Sequence, residues 1–163
     1  YHNHRFKYKI TEGAAMSDCI TKIIPARPYS HIAPQIVQEA EKYLAANFSA
    51  EDITSVLDDT PVFIDCGGNL EEIKCPICGA ALDFDWWGET MDEAAETGFA
   101  DMEITTPCCH KNSSLNDLEY YFPCGFACVE IDMRNPEIEI NDDCLKTLQE
   151  LLGEPIRIIH SHL

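Results

Sequence analysis

Between residues 35 and 48, Ile36, Ala40, Tyr43, Leu44 and Asn47 recur at the spacing that places side chains on one face of a helix. Pro25, Pro28 and Pro34 interrupt the preceding stretch, so a surface helix is predicted once the prolines end. Ser49 and Asp52 then imitate a capping box with Asp in place of Glu, and Ile53, Val56 and Leu57 share one face of a shorter second helix. Val62, Phe63 and Ile64 read as a buried strand, closed by a turn at Cys66-Gly67-Gly68. That glycine pair lacks the spacing and the following lysine of a phosphate-binding loop.

Further along, Trp87, Met91, Ala94 or Ala95, and Gly98 line one stripe of a helix between Trp86 and Gly98, while Glu89, Asp92, Glu93 and Glu96 line another. Met102, Ile104 and Thr106 alternate with Asp101, Glu103 and Thr105, the period of a strand running into Cys108-Cys109. Ala127, Val129, Ile131 and Met133 alternate with Cys128, Glu130, Asp132 and Arg134 in a clearer strand, ended by Asn135-Pro136. Asn141 is a good N-cap, and Asp142 and Asp143 suit the positive end of a helix dipole. Leu145, Leu148, Leu151 and Leu152 give that helix its apolar face up to Gly153, after which Pro155 prevents continuation. Ile156 to His160 forms the last strand, so the C-terminal part reads strand, helix, strand and places a helix against a sheet.

Composition narrows the class of protein. With 45% hydrophobic residues the chain folds rather than behaving as a disordered acidic tail, despite a formal charge of −18 from 11 Lys plus Arg against 29 Asp plus Glu. No window reaches the roughly 18 to 20 apolar residues of a membrane span, so a soluble, cytoplasmic protein without membrane contact is expected. The negative excess disfavours direct nucleic-acid binding, which draws its affinity from Lys and Arg displacing counterions. Residues 1–15 differ: Arg5, Lys7 and Lys9 against Glu12 make them basic, and Tyr1-His2-Asn3-His4 resembles a purification-tag remnant with Met16 as the native start. A strand is the competing reading there, because Phe6, Tyr8 and Ile10 alternate with the basic residues.

Nine cysteines, an odd number without an export signal, point to reduced thiols and metal binding rather than to a disulfide framework. In Cys75-Pro76-Ile77-Cys78-Gly79, two cysteines three apart in a tight turn aim both thiolates at one point, and Gly79 permits positive φ. This C-P-x-C-G run resembles the knuckle of zinc-ribbon and rubredoxin-like proteins. A symmetric ribbon would repeat C-x-x-C within about 15 to 20 residues. Here the next cluster is Thr106-Pro107-Cys108-Cys109-His110, in which Thr106 stands at the place of a first cysteine and Cys109 aligns with Cys78. The expected ligands are Cys75, Cys78, Cys108 and Cys109, with His110 the alternative to Cys108. Four thiolates would close the coordination of one structural Zn²⁺ and leave no position for water or substrate. The expected architecture is an α+β domain over residues 16–163, with a mixed or antiparallel sheet, two N-terminal helices, and a zinc-ribbon-like region at about 70–112.

Other chemistry is thinner. Cys19, Cys66, Cys124, Cys128 and Cys144 read as small core or turn residues, and His160 with His162, which share one face of the last strand, as surface residues, with a second metal pair the alternative. Asp83 and Asp85 form a D-x-D pair with no basic phosphate clamp near it. From Cys75 through Met133, Lys111 is the sole base among twelve acids, so this region carries a strong negative potential. With Trp86, Trp87, Glu89, Asp92, Glu93 and Glu96 as the contact face, the expectation is a non-enzymatic module that captures a basic protein partner. In physical type it is similar to bacterial immunity and antitoxin-like inhibitors. The alternative is a metal-dependent enzyme with an open site of Cys75, Cys78, Cys109 and water, in which Asp85 or Glu103 serves as base.

Overall fold

The computed structural model describes residues 18–163, and the basic N-terminal segment with its period-two pattern lies outside them. In chain order the elements are β1 (Cys19–Pro25), α1 (Pro34–Asn47), β2 (Asp52–Ile64), β3 (Glu72–Lys74), α2 (Phe84–Glu96), β4 (Glu103–Thr105), β5 (Asn112–Ser114), β6 (Glu119–Tyr121), β7 (Gly125–Arg134), α3 (Asp142–Leu152) and β8 (Ile156–His162). A 3₁₀ turn at Leu115–Asp117 joins β5 to β6. The fold is α+β.

Four long strands make one sheet in the order β2-β7-β1-β8, and every pairing is antiparallel. Neighbours of neighbours therefore run parallel. β1-α1-β2 is a β-α-β unit whose gap is filled by β7, and β7-α3-β8 is a second unit whose gap is filled by β1. These interleaved units form the split β-α-β arrangement called ferredoxin-like. Where that arrangement turns directly from its second strand to its third, this chain inserts residues 65–124. The insertion leaves and re-enters the sheet at one rung, because Ile64 pairs with Gly125.

Period two in β7 explains both sides of the sheet. Val129, Ile131 and Met133 point to the face that α1 and α3 cover, with Ile23, Val37, Ala40, Leu44, Leu148 and Leu152. Phe126 points to the other face, where Ile24, Ile64 and Ile159 meet Trp87, Met91 and Leu115 of the insertion. Farther along that second face, Lys22, Glu130 and Asp132 replace apolar residues, and the Lys22 ammonium lies 4.0 Å from Glu130 and donates to the Asp65 carbonyl.

Three expectations need correction. Residues 52–57 are strand, not a second helix, so among the described residues α1 is the sole helix before the insertion. Phe48 is already extended, and the Glu51 amide, which a helical cap would have turned inward, donates to Arg134 of β7. The i, i+3, i+4 spacing of Ile53, Val56 and Leu57 was coincidental: Ile53 packs against the helix-covered core, while Val56 and Leu57 are exposed. In α1 the buried stripe is Val37, Ala40 and Leu44, and Ile36 faces solvent. The proline-interrupted start also conceals β1, the central strand that pairs with both β7 and β8.

Among the described residues, no helix is long and apolar enough to cross a membrane. The outer strand β2 carries Asp58, Asp59 and Pro61 at the register shift between Leu57 and Val62, a combination that discourages further strand addition at that edge.

Candidate metal centre

Two turns of the insertion bring Cys75, Cys78, Cys108 and Cys109 together, with all four Sγ atoms within 4.8 Å of one another. Cys78 and Cys108 stand 3.3 Å apart, and Cys75 and Cys109 3.9 Å apart. Four sulfurs at about 2.3 Å from a tetrahedral ion would be separated by about 3.8 Å, so the observed spacings bracket the geometry of a tetrathiolate site. No other group of three or more His, Cys, Asp or Glu residues converges in this way among the described residues.

Each turn is built the same way. In the first, the Gly79 amide donates to the Cys75 carbonyl at 2.9 Å, and the Cys75 amide to Ala80 at 2.9 Å. In the second, the His110 amide donates to the Thr106 carbonyl at 3.0 Å, and the Thr106 amide to Lys111 at 3.0 Å. Gly79 has φ of 76° and His110 φ of 56°, so both turns close through a left-handed residue. The register read from the sequence therefore holds in three dimensions: Thr106 with Cys75, Pro107 with Pro76, Cys109 with Cys78. The second turn lacks a thiol at its first position, and its other sulfur comes from Cys108 at the Ile77 position. His110, the alternative ligand, is exposed at the closing position of the turn and outside the thiol cluster.

Local hydrogen bonds prepare the sulfurs. The Ile77 amide donates to Cys75 Sγ at 3.4 Å, and backbone amides of Cys78 and Ile77 pull the Cys75 thiol down to about 6. Burial and shared hydrogens with Cys78 and the other thiols push Cys108 up to about 11. Thr106 Oγ1 lies 3.2 Å from Cys109 Sγ and also bonds the Lys111 backbone, which fixes the turn behind that sulfur. Four thiolates this close repel one another strongly, and a bound cation is what would let all four ionise. The donor set fits a thiophilic metal ion.

The residues around the centre are placed as follows. Asp83 caps α2, its carboxylate accepting from the amides of Asp85 and Trp86, and Asp85 sits in the positive first turn. The D-x-D pair is thus explained by helix capping. Trp87 is 6% exposed and donates its indole N–H to Tyr120, whose hydroxyl donates to the Leu115 carbonyl at 2.7 Å. Trp87 thus belongs to the core, and Trp86 is half-buried against it. Glu89, Glu93 and Glu96 are exposed and Asp92 half-exposed. Glu103 lies exposed in β4.

Cysteines outside the cluster differ in setting. Cys128 is buried, with its thiol directed at the Pro28 carbonyl, and Cys144 is half-buried in the first turn of α3. Cys19 is exposed beside His162, 3.3 Å from Nδ1, where β1 pairs with β8. Cys66 and Cys124, each expected as a small core or turn residue, have Sγ atoms 3.3 Å apart. Fifty-eight positions separate them in sequence, and only the insertion's closed path joins them.

No family model, curated protein or solved structure matches this chain.

Proposed function

We propose that the insertion is a zinc-stabilised, ribbon-like module that the sheet presents to a basic protein partner, and that the chain acts by binding rather than by catalysis. One observation carries the metal half of this reading: four thiol sulfurs from two matched turns lie within 4.8 Å of one another. Zinc is the favoured ion because Cys₄ is its common structural donor set. Four protein ligands leave no open position, which favours a structural ion over a Lewis acid.

Charge supports the partner half. The outer side of α2 carries Glu89, Asp92, Glu93 and Glu96, and a tetrathiolate zinc adds a formal −2. Between α2 and β4 lies a cavity of about 210 Å³, where Glu93, Asp101 and Glu103 surround Ala94, Ile104 and Leu115. An apolar floor with a carboxylate rim suits a lysine or arginine side chain, which buries its stem and offers its charge at the tip. Tyr121 and Phe122 stand exposed beside the module and supply aromatic contact area in place of the buried Trp87.

Metal content by mass spectrometry and the X-ray absorption edge of the protein as purified test the reading. One zinc with four sulfur neighbours is the expected result. Three sulfurs and a light-atom neighbour that persists in His110→Ala would favour the open-site enzyme instead.

A further inference from the structure

Cys66 lies two residues beyond the end of β2, and Cys124 immediately before β7. Since Ile64 pairs with Gly125, these thiols stand across the neck through which the insertion joins the sheet. Both are almost fully buried, at 0% and 1% exposure, and the Cys124 thiol donates to Cys66 Sγ at 3.3 Å. Both also approach the Phe122 carbonyl, at 3.5 and 3.6 Å, so the two sulfurs share one acceptor and one small space. Neither belongs to the cluster of four.

We infer that Cys66 and Cys124 are a disulfide site whose oxidation clamps the neck of the insertion. A disulfide needs sulfurs at about 2.05 Å, so they must approach by a little over one ångström. Their surroundings already divide the two roles. The hydrogen bond from Cys124 draws the Cys66 thiol below its ordinary range, while that same bond and burial hold Cys124 protonated. Cys66, whose sulfur accepts the hydrogen bond, is assigned as the nucleophile, and Cys124, which donates it, as the resolving thiol.

The oxidant is hydrogen peroxide. The Cys66 thiolate attacks one oxygen of hydrogen peroxide, the O–O bond breaks, and the departing hydroxide takes a proton to become water. Cys66 is then a sulfenic acid. Cys124 loses its proton and attacks that sulfur; the S–O bond breaks, the S–S bond forms, and a second water leaves. Two thiols are oxidised by two electrons, and one peroxide is reduced to two waters.

The test uses the full chain as purified, with its metal. After limited hydrogen peroxide, thiols are blocked with N-ethylmaleimide in denaturant and the peptides mapped. The expected product is a single Cys66–Cys124 linkage with metal content unchanged, reversed by a phosphine reductant, and with Tm higher by about 5–15 °C, as closure of so long a loop implies. Cys66→Ser and Cys124→Ser should each abolish the linkage, and mapping of the unsubstituted chain stands even if one variant misfolds. Peroxide that leaves Cys66 and Cys124 open to blocking while the four clustered thiols oxidise and release metal would overturn the inference. A linkage that forms without raising Tm would overturn the clamp.

Discussion

Thr106 occupies in the second turn the place that Cys75 occupies in the first: both are 0% exposed, and each anchors its turn through the same pair of backbone hydrogen bonds. The hydroxyl of Thr106 replaces a thiol with a different task, tying Lys111 and the sulfur of Cys109 together. Thr106→Val keeps the shape and removes those bonds. It should cost about 1–2 kcal/mol in denaturant unfolding while the metal stays bound.

Substitution of Cys75, Cys78, Cys108 or Cys109 by serine should weaken metal binding beyond the roughly 10–100-fold typical of losing a supporting partner. His110→Ala should leave it unchanged, because His110 closes a turn and lies outside the cluster. Competition with a colorimetric chelator measures both. Cobalt(II) substituted into the intact protein should give a tetrathiolate spectrum.

His110 holds φ at 56°, a left-handed value that a side chain disfavours by roughly 1–2 kcal/mol. Gly79 meets the same requirement in the first turn without that cost. After the added freedom glycine gives the unfolded chain, His110→Gly should still raise stability by about 0.5–1 kcal/mol.

Asp132 should make stability fall with rising pH. Burial, with Glu130 beside it, lifts its carboxyl to about 8, although Lys22 opposes the shift. The folded protein therefore holds a proton that the unfolded chain releases near pH 4, and stability declines between about pH 4 and 8. Asp132→Asn should be more stable than the parent by about 2–4 kcal/mol at pH 9, with no advantage at pH 3. Asp18 works in the opposite sense. Hydrogen bonds from Asn135 and Arg134 hold its carboxyl below the ordinary range, so its contribution is present above about pH 4 and lost as the pH falls through the folded value.

Charge reversal at Asp92, Glu93 and Glu96 to lysine should slow association with a lysine-rich peptide and flatten its dependence on salt. Stopped-flow binding at low and high ionic strength measures this. Rates that match the unsubstituted protein would remove the outer side of α2 from the interface.

Elements whose period agreed with their burial were legible in the sequence. Asn141 does cap α3, accepting from the Cys144 amide at 2.8 Å, and Gly153 does close it at φ of 78°. Met102 and Thr106, which flank β4, are buried, and Ile104 within it is half-buried, while Asp101, Glu103 and Thr105 are exposed, as the alternation required. The two cysteine turns were legible because backbone chemistry fixes them within five residues. Where local signals competed with pairing, they misled. Ser49 and Asp52 looked like a cap, but the amide of Glu51 belonged to a strand more than eighty positions away. Trp87 looked like an anchor because its stripe was apolar, and no periodicity tells a stripe that meets the chain's own core from one that meets another protein. The proximity of Cys66 and Cys124 had no local signal, since it follows from which strands are neighbours.

The return of the chain to the sheet at Ile64 and Gly125 also bears on how quickly the sheet can assemble. β2 and β7 must find each other across the whole insertion, and the entropy of closing so long a loop slows such pairings. If a metal ion binds the four clustered thiols, an insertion already folded around it would shorten the effective path to the width of its neck. Metal loading would then act as a folding catalyst in cis, accelerating the sheet without touching any strand of it.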